Sequence, residues 1–351
     1  MPVRANNFDL IRFALAGIVV LFHAHVLSRS SSLAFLSEFL SPDIAVKGFF
    51  VVSGYLIFRS WDGSKGFGDY AWKRARRIYP AYATVVLACA LLGVLGTTLP
   101  LSRYFSVHWL KYVGANLIFA NFLEPTLPGL FTGNPEAAVN GALWTLKIEV
   151  SFYAVVPLLA WLVHRYGAAA VTTAVYVASV GYSVGMLHLA ATMERPIFWL
   201  LAHQLPGELC FFMSGALLYY KENAVRRWLL PGAVVSVALL ALGGPVIDVL
   251  FRPILLAVAV IYFAIGVPYL GNFGRFGDFS YGIYILHFPL LQSLVAIGWF
   301  RQAPFATLLG ACAAVLAVAF VSWHVVERPF LLRSSHYVRV AEPLPEAAGS
   351  P

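Results

Sequence analysis

The chain has 351 residues, of which 60% are hydrophobic and 11% charged, with 24 basic and 16 acidic side chains and a formal net charge of +8. Soluble domains carry about 25% charged residues, so these few could not solvate a globular surface of this size. Apolar runs long enough to cross ~30 Å of hydrocarbon recur from end to end, which excludes a soluble enzyme, a disordered chain and a secreted disulfide scaffold.

The first run, from Phe8 to Leu27, looks like a signal peptide, but it contains Arg12, His23 and His25 and no Ala-x-Ala cleavage site follows. It reads as a retained helix. Further spans are predicted at 44–60, 79–96, 142–163, 168–189, 197–220, 229–243, 253–271, 279–300 and 304–326. The segment 97–141 is too polar to cross, with Arg103, His108, Lys111 and Asn116 followed by Pro125, Pro128 and Pro135. It reads as an extracytoplasmic loop holding a partial or re-entrant helix, because irregular backbone is tolerated only where protein or water covers it. With ten spans and both termini cytoplasmic, most basic residues fall on the inner side, among them Arg59, Lys65, Lys73, Arg74, Arg76, Arg77, Arg226 and Arg227. That is the positive-inside pattern. An eleventh span at 104–123 would put Arg226 and Arg227 outside, and is rejected. The expected architecture is therefore an all-α polytopic membrane protein, with one membrane domain over 1–335 and a disordered cytoplasmic tail over 336–351.

The placement of the charges argues against nucleic acid as a partner and for membrane lipids. Cys89, Cys210 and Cys312 lie singly in apolar runs and read as packing residues. No His-x-x-x-His or Gly-rich phosphate loop is present, so metal and nucleoside-triphosphate chemistry lack a motif and no metal is expected.

Ionisable groups inside spans are costly, so each is a candidate for function. Arg12 and His23 are eleven residues apart, three helical turns plus about 20°, and so share a face with ~16 Å between them along the axis. They read either as an anion clamp with a proton acceptor deeper in the same groove, or as a snorkelling arginine and a packing histidine. Arg74 and Arg77 lie one turn apart in a cluster of four cations over 73–77. Guanidinium forks suit phosphate oxygens, and the alternative is a topology-setting patch against anionic lipid headgroups. Glu149, near Trp144 and one turn before Tyr153, either binds substrate, orients His23, or pairs with Lys47 or Lys147. Ser280, Tyr284 and His287 form one polar stripe on an apolar helix, lining either an acyl path or an interhelical contact. Gly48, Ser53 and Gly54 read as a close helix approach. His203 and His324 read as structural.

The order of motifs along the chain is specific. Arg12 to His23 resembles the opening Arg-x10-His of acyltransferase family 3, the bacterial integral membrane O-acyltransferases. Gly48-Phe49-Phe50-Val51-Val52-Ser53-Gly54-Tyr55-Leu56 is similar to the family's Phe-Phe-Val-x-Ser-Gly-Phe-Leu signature. Arg74-Ala75-Arg76-Arg77-Ile78-Tyr79-Pro80 resembles its Arg-x-x-Arg-Ile-x-Pro segment, and Trp144 to Glu149 its Trp-Ser-Leu-x-x-Glu element. Ser280-Tyr281-Gly282-Ile283-Tyr284-Ile285-Leu286-His287 and Val326-Glu327-Arg328-Pro329 resemble its two late motifs. Two positions depart from the pattern: Lys47 stands where the family is often acidic, and Ser151 where it often has glutamine. Both bear on acceptor recognition.

The resemblance implies a multi-pass enzyme of the bacterial cytoplasmic (inner) membrane. It would move an acyl group, most often acetyl, from cytoplasmic acetyl-coenzyme A or another acyl-coenzyme A to a hydroxyl of a carbohydrate acceptor. His23 would serve as general base or as transient acyl carrier, with Glu149 as its catalytic companion. Arg12, Arg74 and Arg77 would hold donor phosphates, and Trp144, Tyr153, Ser280, Tyr284 and His287 would line the transfer site. The chain is short for the family, so the acceptor is expected to be engaged by the membrane body and the 97–141 loop. A transporter or flippase is the competing class, against which stands the lack of repeated, broken helices in matching halves. Acceptor identity, acyl length and oligomeric state are open at this level.

Overall fold

A computed structural model of the chain describes residues 6–332, and every regular element among them is helical. This follows from burial in hydrocarbon, where a helix satisfies its N–H and C=O groups within itself. The principal helices begin with α1 (Phe8–Ser28), α2 (Pro42–Asp62), α3 (Phe67–Leu92) and the short α4 (Val107–Leu117). Then come α5 (Trp144–Tyr166), α6 (Ala168–Met193), α7 (Pro196–Ala202) and α8 (Leu205–Tyr220). The last four are α9 (Leu229–Leu242), α10 (Arg252–Ile261), α11 (Ser280–Ala296) and α12 (Pro304–Ser322).

Eight helical stretches, built on α1, α2, α3, α5, α6, α9, α10 and α12, are long and apolar enough to cross a membrane. The chain is a multi-pass membrane protein. The other two expected spans are helical but interrupted. The span 197–220 is divided into α7 and α8 at His203 and Gln204, and Pro206 in the first turn of α8 has no N–H to carry a helix across the gap. The span 279–300 stops at Ala296, because Gly298 adopts φ +78.

Two further boundaries differ from the sequence reading. α3 starts at Phe67 rather than Tyr79, so the cations at 73–77 sit on its early turns, with Asp69 in the first turn beside the positive helix end. The loop helix α4 has 11 residues, ~16 Å of rise, too short to span. Its irregular surroundings are satisfied internally: Tyr82 Oη donates to the Asn116 carbonyl at 2.6 Å, and Asn116 Nδ2 donates to the carbonyls of Tyr112 (2.8 Å) and Glu124 (2.9 Å). The expected tail at 336–351, with Arg4, Arg333 and Arg339, lies outside the described residues.

The chain divides into two compact units. The first comprises the described residues up to Phe22, Phe35–Ala71 and Ala142–Leu270; the second comprises His23–Ala34, Trp72–Gly141 and the described residues from Gly271. α1 begins in the first and ends in the second.

In the first unit, α2 starts at Pro42 with the Ser41 hydroxyl accepting from the Ile44 N–H. It then crosses α8 at backbone contact. A Cβ on Gly54 would lie 1.9 Å from the Phe212 carbonyl oxygen, and one on Gly215 2.0 Å from that of Val51. Small residues at such a crossing let dispersion act over the whole helix face where no hydrophobic effect separates helix from lipid. Phe152 of α5 completes this core, stacked on Phe212 at 4.4 Å and edge-on to Phe50 at 5.1 Å. The second unit packs α11 against α12, where Gly282 lets the Ala319 backbone come close.

Candidate active site

His23 lies in the second unit, on the last turns of α1, and meets His287 of α11. Its Nδ1 is 3.0 Å from Nε2 of His287, with the rings stacked 5.1 Å apart. His287 is fully buried, and its own Nδ1 lies 3.2 Å from the Ile283 carbonyl oxygen. A carbonyl can only accept, so Nδ1 of His287 carries the hydrogen and its Nε2 the lone pair. Nδ1 of His23 must then donate to that lone pair, which makes Nε2 the basic nitrogen of His23. A buried neighbour thereby fixes the tautomer of His23 and leaves the lone pair on its Nε2. Phe288 sits edge-on to His23 at 5.3 Å, and Tyr284 edge-on to His287 at 6.0 Å.

The same unit holds a closed ionic network. Arg77 of α3 donates from one amino group to Asp278 (2.6 Å) and from the other to Glu327 (2.8 Å), whose side chains are 2% and 1% exposed. The rings of Tyr281 and Trp323 each lie 5.6 Å from its guanidinium carbon. Asp278 also accepts from the N–H and hydroxyl of Ser280, and Glu327 from the hydroxyl of Ser322 at 3.4 Å. Gly277, at φ +125, carries the chain past Trp323, where a Cβ would stand 2.0 Å from the indole nitrogen. The fork of Arg77, expected at a donor phosphate, is thus engaged by two carboxylates, and a phosphate reaching it must compete with both. Arg74, one turn earlier on α3, is half-buried.

In the first unit, Arg12 pairs with Asp9 on the first turn of α1. Glu149 of α5 accepts from the Tyr153 hydroxyl one turn later and from Ser53 Oγ of α2 at 3.5 Å. Ser53, read from sequence as a packing residue, is therefore a hydrogen-bond partner of the expected catalytic carboxylate. Lys47, weighed as the partner of Glu149, is paired with Asp43 at 2.8 Å. Trp144, at the start of α5, is 39% exposed.

The polar stripe of α11 has two destinations: Ser280 joins the ionic network, while His287 meets His23 and Tyr284 packs against His287. Asp278 and Glu208 were not singled out from sequence, and Glu327 entered only as part of a motif. The signal was present, since each is a carboxylate set at the edge of or inside an apolar run.

Comparison with known proteins agrees with the order of motifs. The acyltransferase-domain model of acyltransferase family 3 matches residues 6–324. Nodulation protein 10 of Rhizobium leguminosarum bv. viciae is 28% identical over 95% of this chain and 95% of its own. An O-acetyl transferase of Shigella phage Sf6 is also 28% identical, over 95% of this chain and 98% of its own. No solved structure matches the chain. A helical membrane body, six motifs in family order and a family match over nearly the whole length lead to one conclusion: the chain belongs to acyltransferase family 3.

Proposed function

We propose that the protein is an O-acetyltransferase of the bacterial inner membrane, moving acetyl from cytoplasmic acetyl-coenzyme A to a hydroxyl of a cell-surface carbohydrate or glycoside. The observation that carries this reading is the His23–His287 pair, because a sugar hydroxyl is a weak nucleophile and needs a positioned base. Nε2 of His23 takes the hydroxyl proton as the oxygen attacks the thioester carbonyl. The tetrahedral intermediate collapses with cleavage of the C–S bond, and the leaving thiolate takes the proton back from the imidazolium. The products are the ester and coenzyme A, with no net proton released. His287 holds the ring in register and accepts from the Nδ1–H throughout. Arg12 and Arg74 hold the donor's phosphates as charged forks, and Arg77, bound by Asp278 and Glu327, sets the position of the helix that carries Arg74. Glu149, with Tyr153 and Trp144, serves the acceptor side.

One relative's name supports the transfer chemistry: it is an O-acetyl transferase, matched over nearly its whole length. The test is turnover of labelled acetyl-coenzyme A by purified protein in nanodiscs, with a carbohydrate acceptor. His23→Ala should lower transfer by ~10²–10⁴-fold at unchanged fold. Wild-type turnover in that variant would remove His23 from the mechanism. Acetylated protein accumulating without acceptor would identify His23 as carrier rather than base.

A further inference from the structure

Five charged side chains gather where three helices of the first unit begin. Asp43 and Lys47 lie on the first turns of α2, Glu208 on the first turn of α8, and Asp248 and Arg252 at the start of α10. The cations are accounted for. Lys47 pairs with Asp43 at 2.8 Å and sits 5.1 Å over the Phe211 ring, while Arg252 pairs with Asp248 and reaches Asp43 at 3.5 Å. Glu208 is not. It is 4% exposed, and among the described residues its buried Oε2 has no hydrogen-bond partner. Lys47 attracts it across the cluster and Asp43 repels it.

A carboxylate stripped of water without a donor in exchange is a position to which a ligand can supply one. Neither cation is bonded to the buried oxygen of Glu208, Lys47 being paired with Asp43 and Arg252 with Asp248 and Asp43, so a ligand can supply the donor. With three acids set against two cations the cluster has no positive charge to spare, which favours a neutral donor over an anionic one. Lys47 beside it offers an ammonium to an acceptor oxygen on the same molecule. Adjacent hydroxyls and ether oxygens are the pattern of a neutral sugar. In the topology expected from the basic residues, the starts of α2, α8 and α10 all lie on the extracytoplasmic side.

We infer that Glu208 and Lys47 form the subsite that holds the carbohydrate acceptor, Glu208 Oε2 accepting from a sugar hydroxyl and Lys47 donating to a neighbouring oxygen of a neutral glycoside. This rests on the acyl-transfer reading above and extends it to the acceptor's class.

The test is binding of methyl glucoside and methyl galactoside to the full chain in nanodiscs, read by saturation-transfer NMR, with methyl glucuronide as the anionic control. The neutral glycosides should bind, and the glucuronide ~10-fold more weakly or worse. Glu208→Gln should weaken the neutral glycosides by ~10- to 100-fold, the loss of one charge-assisted hydrogen bond, with Glu208→Asp recovering part of it. Thermal midpoints in the same nanodiscs show that each variant is folded. Equal affinity in wild type and Glu208→Gln, no binding to wild type, or preference for the glucuronide would each overturn the subsite. Acetyl-coenzyme A turnover is read separately. Sugar binding without turnover overturns the acyl-transfer reading and leaves the subsite, whereas turnover with binding unmoved by Glu208→Gln overturns the subsite alone.

Discussion

Each unit buries a set of opposed charges in apolar surroundings, and the two sets are settled differently. In the second unit one guanidinium faces two carboxylates, two aromatic rings flank it, and two serines fill remaining acceptor positions. In the first unit two cations pair with two of three carboxylates, and Glu208 is left with a buried oxygen that none of the described residues satisfies. Planar forks pair with carboxylates in fixed geometry, so a network built on Arg77 closes. A lysine ammonium is a mobile point charge that settles on the nearest acid, here Asp43. The closed network is a scaffold. The open one is a site.

That contrast is most severely tested at Arg77. Arg77→Ala strands two buried carboxylates and should cost about 3–5 kcal/mol, read as a large drop in thermal midpoint or loss of folded protein in detergent. Arg77→Lys should rescue little, since an ammonium cannot bridge both acids. Wild-type stability in Arg77→Ala would reduce the network to a surface ion pair. Gly54→Ala comes next, at about 1–3 kcal/mol or more, because the added methyl collides with backbone rather than with a side chain that can turn aside. A neutral result there would show that α2 and α8 slide apart without penalty. Ser280→Ala should be the smallest, about 0.6 kcal/mol, the typical worth of one hydrogen bond in a membrane interior. Set beside these, Glu208→Gln should leave the thermal midpoint unchanged or raise it, because it replaces a buried ionisable group by a neutral amide of the same shape without breaking a bond to a described residue. A fall as deep as that of Arg77→Ala would mean that both clusters are scaffold.

Helices and their number were largely legible because a helix is a local object. α1, α2, α5, α6 and α12 lie within a few residues of the apolar runs that predict them. α3 was misjudged at its start, because its first three turns are cationic and their apolar content is hidden between arginines. Pro206 signals a kink in the sequence but not that the helix ends there, and Gly298 looks tolerable in a run that hydropathy treats as continuous. Of the candidate site, Arg12, His23 and Glu149 stand out as ionisable groups in apolar runs. Their partners do not. His287 is 264 residues from His23, and Asp278 and Glu327 are 201 and 250 from Arg77. No periodicity links such positions.

By itself, the sequence determined that this is a helical membrane protein, that Arg12 and His23 share one helix face, and that its motifs follow acyltransferase family 3. Those facts depend on residue type and on separations within one element, where the i to i−4 hydrogen bond fixes geometry. The tertiary structure alone decided which nitrogen of His23 faces His287, that Arg77 is held by two carboxylates, and that Glu208 has an oxygen no described residue satisfies. These depend on which helix faces meet, and in a membrane that is set by close packing at residues such as Gly54 and Gly215 rather than by hydropathy, which is the same on every lipid-facing side.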